Sequence, residues 1–391
     1  MSRPATRPIE PVALIVVGVL LAACGQAPAP RAGSTPTTAT AQQVIPGPDL
    51  LEAHLFGPTS GWLQTADRVL TTEDSGRTWA DVTPPGGRNA LLETAFFLDP
   101  YQAWAIVRLT QGDLALFISS DGGRHWSSRA TPASQPMDLV GPVYLTFINP
   151  KRGWMVVDQG SHSGFMHFTG FQTFDGGRTW TGLTFPQSAR VVFANELDGF
   201  SVSDWGPPFG AYVTHDGGRT WRRLTVPPID ASRASPVFEP PVFSDDRNGV
   251  LAGGMMDPSG GIASEVFYTT SDGGRSWSFV TNVPNPNTQS SAQLAGVASP
   301  TAWLAAFLGP GPAAGGTYTQ LKATQDGGKT WEWTPTVLAG AFVDQVSFAG
   351  STGWGIINQS GCRGFKTDCY TNSGLFQTVD GGAHWQQVSV P

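Results

Sequence analysis

Arg108, Asp158 and Asp204 stand at one repeated place in this sequence, four residues beyond the large member of a small-plus-large apolar pair, and Trp205 adjoins the last of them. Two carboxylates about 5 to 10 Å apart can hydrolyse a glycosidic bond. Asp158 and Asp204 form the pair that this register sets on neighbouring repeats. The same charges beside an aromatic ring also suit ligand binding without chemistry. His162 and His167 could join Asp158 around a metal, but such a pair in a loop reads first as solvated polar side chains, so no metal and no cofactor is expected. Neither a Gly-x-Ser-x-Gly elbow nor a His-Glu-x-x-His motif occurs. Seven more aspartates, Asp74, Asp121, Asp175, Asp216, Asp272, Asp326 and Asp380, recur in order. Set on separate repeats, they read as turn residues rather than as one catalytic or calcium centre.

Each of those aspartates sits in the pattern Ser/Thr, any, Asp, Gly/Ser, Gly, two residues, Trp, from Thr72–Trp79 through to Thr378–Trp385. The spacings between them are 47, 54, 41, 56, 54 and 54 residues, close to one four-stranded propeller blade. An aspartate at a hairpin turn can accept amides from one to three residues on, the glycines supply positive φ, and the Trp packs under the turn. Upstream of each turn lies the small-plus-large pair, as in Gly61-Trp62, Ala103-Trp104, Gly153-Trp154 and Gly353-Trp354, and before it short apolar strands such as Ala95–Phe97 and Leu145–Phe147. The expected fold is all-β: a seven-bladed β-propeller whose blades each run A, B, C, D. No exchanged strand is visible, and an edge segment near Val44 to Pro48 is a candidate for closing the ring. The B-to-C distance varies from 12 to 26 residues, measured from the large apolar residue to the aspartate. Function is expected in those connections, on the end away from the repeat turns.

The repeat closely resembles the Asp-box, or BNR repeat, of sialidases, sortilin-type receptors and xyloglucan hydrolases. Together with the Gly-Trp B strands it looks most like the photosystem II assembly and stability factor family, over residues 50 to 391. That resemblance implies Asp-box turns on the outer rim and membrane-complex assembly as a role. It leaves function open, since one propeller serves enzymes, receptors and chaperones. The sialidase Arg-Ile-Pro tripeptide is absent.

Ahead of the repeats, Arg3 and Arg7 precede an apolar run from Val12 to Ala23 that ends Leu21-Ala22-Ala23-Cys24. This resembles a bacterial lipobox, with residues 1–23 a signal peptide and Cys24 the lipidated residue. Residues 24–48, rich in Pro, Thr and Ala, read as a tether that cannot repay the entropy of folding. The propeller then occupies 49–391. Once Cys24 is acylated, Cys362 and Cys369 remain, and an exported chain predicts a disulfide between them. A net charge of −7 and only 14% charged residues argue against nucleic-acid binding. The expectation is therefore a monomer, lipid-anchored on the extracytoplasmic face of a cell membrane, acting as a protein-binding or complex-assembly scaffold. The alternative is a carbohydrate-binding or glycoside-hydrolase propeller using Asp158 and Asp204.

Overall fold

A computed structural model describes residues 44–88, 91–109, 113–132, 142–162, 165–186, 190–202, 210–229, 236–256, 261–285, 292–310, 317–339, 341–364 and 367–391. Cys24, the leader, most of the tether, Asp204 and Trp205 lie outside these residues. All the regular elements described are strands, and they form seven antiparallel sheets in chain order. Blade 1 runs from Leu50–Leu55 to Ala80–Asp81, blade 2 from Leu91–Phe97 to Ser127–Ala130 and blade 3 from Val143–Phe147 to Thr181–Leu183. Blade 4 runs from Arg190–Phe193 to Arg222–Arg223, blade 5 from Val237–Phe238 to Ser278–Pro284, blade 6 from Ala292–Val297 to Glu332–Ala339 and blade 7 from Ala341–Ala349 to Gln386–Val388. This is the seven-bladed propeller that the repeat predicts. In blade 5 the A strand is split into Val237–Phe238 and Val242–Phe243, both paired with Gly249–Met256. Pro240 and Pro241 cause the break, because neither has an N–H to give the ladder.

The seven repeat turns share one hydrogen-bond pattern, different in detail from that expected. In blade 4 the Thr214 hydroxyl, not the aspartate, accepts the amides of Asp216 and Gly218, and itself donates to Asp216 Oδ1. The aspartate reaches farther, taking the Thr220 amide and hydroxyl four residues on. Both turn glycines adopt positive φ, 75° at Gly217 and 90° at Gly218. The Gly217 amide then donates to Leu197 O, which fastens the C-to-D turn to the A-to-B turn of the same blade. Equivalent ties run from Gly122 to Tyr101 and from Gly381 to Ser351.

Between blades 1 to 5, the large residue of the B strand meets the A-strand Phe of the next blade. Trp104 stacks on Phe147 and Trp154 on Phe193, with the following repeat-turn tryptophans Trp180 and Trp221 edge-on to the same Phe rings. This explains why a small residue precedes the large one. A Cβ on Gly153 would lie 2.4 Å from the Phe147 ring of its own blade. The ring closes without strand exchange. Blade 1 packs on blade 7, Trp354 and Ile356 sharing a core with Leu63 and Leu70. The Trp79 indole donates to Ser389 O near the C-terminus. Val44 is buried against blades 6 and 7 and its amide donates to Gln359, while Ile45 exchanges two hydrogen bonds with the Gln387 side chain.

Candidate binding face

Because each blade runs A to D antiparallel, the B-to-C and D-to-A connections leave the end opposite the repeat turns. The structure recasts these connections. In blades 3, 5, 6 and 7 much of the expected loop is strand, as in the Thr352–Gly364 and Thr367–Thr378 hairpin of blade 7. A paired backbone satisfies its own polar groups, so lengthening the hairpin costs less than an open loop would. In these four blades the position four beyond the small-plus-large pair consequently falls inside a strand rather than at its exit. Gly254 and Phe307 occupy it in blades 5 and 6, and Phe307 is fully buried.

Asp158 lies within the Gly153–His162 strand, opposite Phe168, and is buried rather than on a loop rim. With Asp204 outside the described residues, no carboxylate separation can be assigned to the pair. Arg108 ends the Ala103–Arg108 strand and its Nε donates to Glu93 Oε1 at 2.5 Å. Glu93, with 6% of its side chain exposed, sits at a bulge in the facing A strand, between the paired residues Leu92 and Thr94. Arg108 is thus held by a carboxylate, not presented alone as the sequence register suggests. Arg108 and Asp158 stand on different blades, and the other two members of the charged cluster expected across blades 2 to 4, Asp204 and Trp205, lie outside the described residues.

This end presents instead a set of half-exposed apolar side chains on five blades. Leu51 and Phe342 lie at the start of A strands in blades 1 and 7, and Tyr144 holds the same place in blade 3. Leu109 follows the B strand of blade 2 and Met256 ends that of blade 5. All five are 39–49% exposed. The repeat-turn end also carries exposed apolar residues, among them Tyr101 and Val379, but there the connections have fixed length. Beneath the apolar set, side chains from one blade hold inner-strand amides of the next: Gln64 accepts Ala95 N–H, Glu239 accepts Leu294 N–H and Ser373 accepts Leu50 N–H.

Glu239 and Glu265 are the titratable pair that the sequence reading missed. Glu265 is fully buried, and burial first, then the charge of Glu239, pushes its carboxyl well above the usual carboxylate range. The available signal was parity: Glu265 shares a strand face with Phe267, a charge in an apolar register.

A second charged network lies at the repeat-turn end. His215 Nδ1 is 2.7 Å from Asp198 Oδ1, and Arg222 donates to His215 Nε2, which assigns the ring proton to Nδ1. Arg275 of blade 5 donates to both Asp198 oxygens. Burial opposes the Asp198 charge, yet the donors from Asn195, His215 and Arg275 hold its carboxyl below the usual range. Every described polar group there has a fold-holding partner, so the network reads as a clamp between blades 4 and 5. Among the described residues, no group of three or more His, Cys, Asp or Glu could hold a metal ion.

No known family model matches the chain, and no curated protein matches it. Solved structures do. A structure titled YCF48 bound to D1 peptide is 17% identical, covering 87% of this chain and 96% of its own, with a TM-score of 0.52. YCF48 from Cyanidioschyzon merolae is 19% identical over 84% of this chain and 95% of its own, at 0.53. An uncharacterized protein, lmo1340, from Listeria monocytogenes EGD-e is 10% identical over 80% and 89%, at 0.50. At these identities the likeness is one of fold, and it agrees with the seven-bladed ring built above.

Proposed function

We propose that this chain is a membrane-tethered binding propeller that takes a segment of a protein partner across the end bearing the B-to-C and D-to-A connections. The observation that carries this reading is the set of half-exposed apolar residues Leu51, Leu109, Tyr144, Met256 and Phe342 at that end, on five of seven blades. Apolar and aromatic side chains ringed by polar ones are the usual anchors of protein interfaces. Trp205, a tryptophan outside both structural registers of the repeat, belongs to the same group by its place in the sequence. The peptide in one of the similar YCF48 structures supports the same partner class. Lipidation at Cys24, with the chain from there to Val44 as tether, would hold the ring at the extracytoplasmic membrane surface.

The test is site-specific photocrosslinking in the native host, with the crosslinker at Phe342 and, for comparison, at Tyr101 on the other end. The expected result is a discrete protein adduct from Phe342, lost when Leu109 and Met256 are both changed to Asp, and no adduct from Tyr101. Adducts from Tyr101 alone, or from neither site, would count against this face. Cys24→Ala should release the ring from the membrane fraction, and persistence there would remove the anchor from the proposal.

A further inference from the structure

Four consecutive seams of the ring, from blade 1 to blade 5, are filled by a large B-strand ring set against the A-strand Phe of the following blade. The seam between blades 5 and 6 breaks the series. Its B-strand residue is Val250 and its A-strand residue is Val297. Val297 pairs with Trp303, where Phe147 and Phe193 pair with Gly153 and Gly199. The large ring of blade 6 has thus moved from the A strand to the B strand, and Trp303 packs with Phe267 of blade 5.

Two valines are smaller than the rings they replace, and the seam stays open beside them. A groove of about 550 Å³ lies there, at the repeat-turn end, with Val250 and Val297 in its lining. That volume falls within the range of about 300 to 1,000 Å³ usual for ligand clefts. The blade 6 repeat turn also stands farther from its own A-to-B turn. A Cβ on Gly327 would lie 3.8 Å from Pro300 O, against 2.5 Å from Pro100 O at Gly122 and 2.7 Å from Pro150 O at Gly176.

The lining is amphipathic. Thr269, Ser271 and Ser278 of blade 5 line the groove, and their hydroxyls make no hydrogen bond among the described residues. Beside them Phe279 is 39% exposed. Blade 6 contributes Lys329, which is exposed and has neither an acceptor nor an ion pair among the described residues. Its counterparts Arg124 and Arg275 are paired with Glu73 and Asp198. The other charged residue in the lining, Asp326, has both oxygens taken by Thr324 and Thr330 of its own turn. Such a surface suits a ligand that itself alternates CH and OH groups. A sugar ring can lay its CH face on valine and phenylalanine while its hydroxyls exchange hydrogen bonds with serine and threonine. A carboxylate on that sugar would give the free ammonium its missing partner through a charge-assisted hydrogen bond.

We propose that the groove between blades 5 and 6 binds a uronic-acid saccharide, with Lys329 holding its carboxylate. The site is at the opposite end of the ring from the protein-binding face and does not depend on it.

The experiment is isothermal titration calorimetry of the whole mature protein with tetragalacturonate and with its methyl ester, which keeps the chain and removes the charge. The acid should bind, and the ester should bind about tenfold more weakly, as expected for the loss of one hydrogen bond between charged groups. K329M should weaken binding of the acid by a similar factor. S278Y, which places a ring in the groove from an exposed strand position, should abolish it. R77M, the same change in the blade 1 repeat turn, should leave it unchanged. The proposal is overturned if tetragalacturonate does not bind, if acid and ester bind equally, if S278Y binds as the unsubstituted protein does, or if R77M weakens binding as much as K329M. Circular dichroism melts establish that each variant is folded. Should S278Y melt early, the contrast between K329M and R77M decides the matter alone.

Discussion

Trp104 of blade 2 lies flat on Phe147 of blade 3, ring centroids 3.8 Å apart and planes 7° from parallel. The indole N–H also donates to Gly176 O of the blade 3 repeat turn, so one side chain joins the B strand of one blade to two parts of the next. Both rings are buried. Trp104→Ala should therefore cost about 3 to 5 kcal/mol, through the lost apolar contact and the cavity left behind. Guanidinium denaturation followed by tryptophan fluorescence would measure it. A loss below about 1 kcal/mol would mean that the stack is incidental to the ring.

Asp216 is the residue on which one repeat turn can be tested. Burial is the largest single influence and opposes its charge, but the Thr220 hydroxyl and amide and the Thr214 hydroxyl together outweigh it and hold its pKa at about 2. Asp216→Ala should cost about 1 kcal/mol, a modest value because the turn is partly open to solvent. It should leave binding at the other end unchanged. A depressed folded pKa contributes stability that is present above the ordinary value of 3.8 and is lost as pH falls toward 2. Asp272, Asp326 and Asp380 are held at about 2 in the same way. Acid unfolding by circular dichroism should therefore begin below about pH 4. A transition already complete at pH 5 would contradict this.

Arg108 is paired with a nearly enclosed Glu93, which changes what its removal should do. Arg108→Ala leaves that carboxylate without its counter-charge and should destabilise blade 2 by about 3 kcal/mol. The double variant Arg108→Met with Glu93→Gln should recover most of the loss. If the single variant were as stable as the unsubstituted protein yet bound partner poorly, Arg108 would be a binding residue after all.

The architecture was legible because it repeats. Seven turns of fixed length announce the C-to-D corner, and the Gly-Trp pairs announce the B strand. Each of these depends on contacts inside one blade or with its neighbour, as Gly153 under Phe147 shows. The site was less legible because it depends on what does not repeat. Glu93 meets Arg108 only because a bulge displaces it from the strand register, and a bulge has no fixed sequence sign. Glu239 reaches Leu294 only because two prolines interrupt its strand. Asp158 read as a loop charge because nothing in a single strand tells where its pairing stops, and pairing continues past it to His162.

If the chain is exported as proposed, Cys362 and Cys369 are expected to form a disulfide. The sequence put them in a long loop, whereas the backbone sets them directly opposite one another on the two strands of the blade 7 hairpin. Opposed residues in an antiparallel pair have Cα atoms about 4.5 to 5.5 Å apart, inside the range of about 4.4 to 6.8 Å that a disulfide spans. The enclosed loop is short, so the chain-entropy contribution is about 2 kcal/mol and acts on this hairpin rather than on the ring. Digestion without reductant followed by mass spectrometry should show the two cysteine peptides linked. Reduction should then speed proteolysis between Gly361 and Tyr370 while the melting of the ring stays nearly constant, since Trp354, Ile356 and Leu375 keep the base of the hairpin in the core shared with blade 1. Free thiols in both peptides of correctly exported material would refute the bridge, because the register offers each cysteine the other as its directly opposed neighbour.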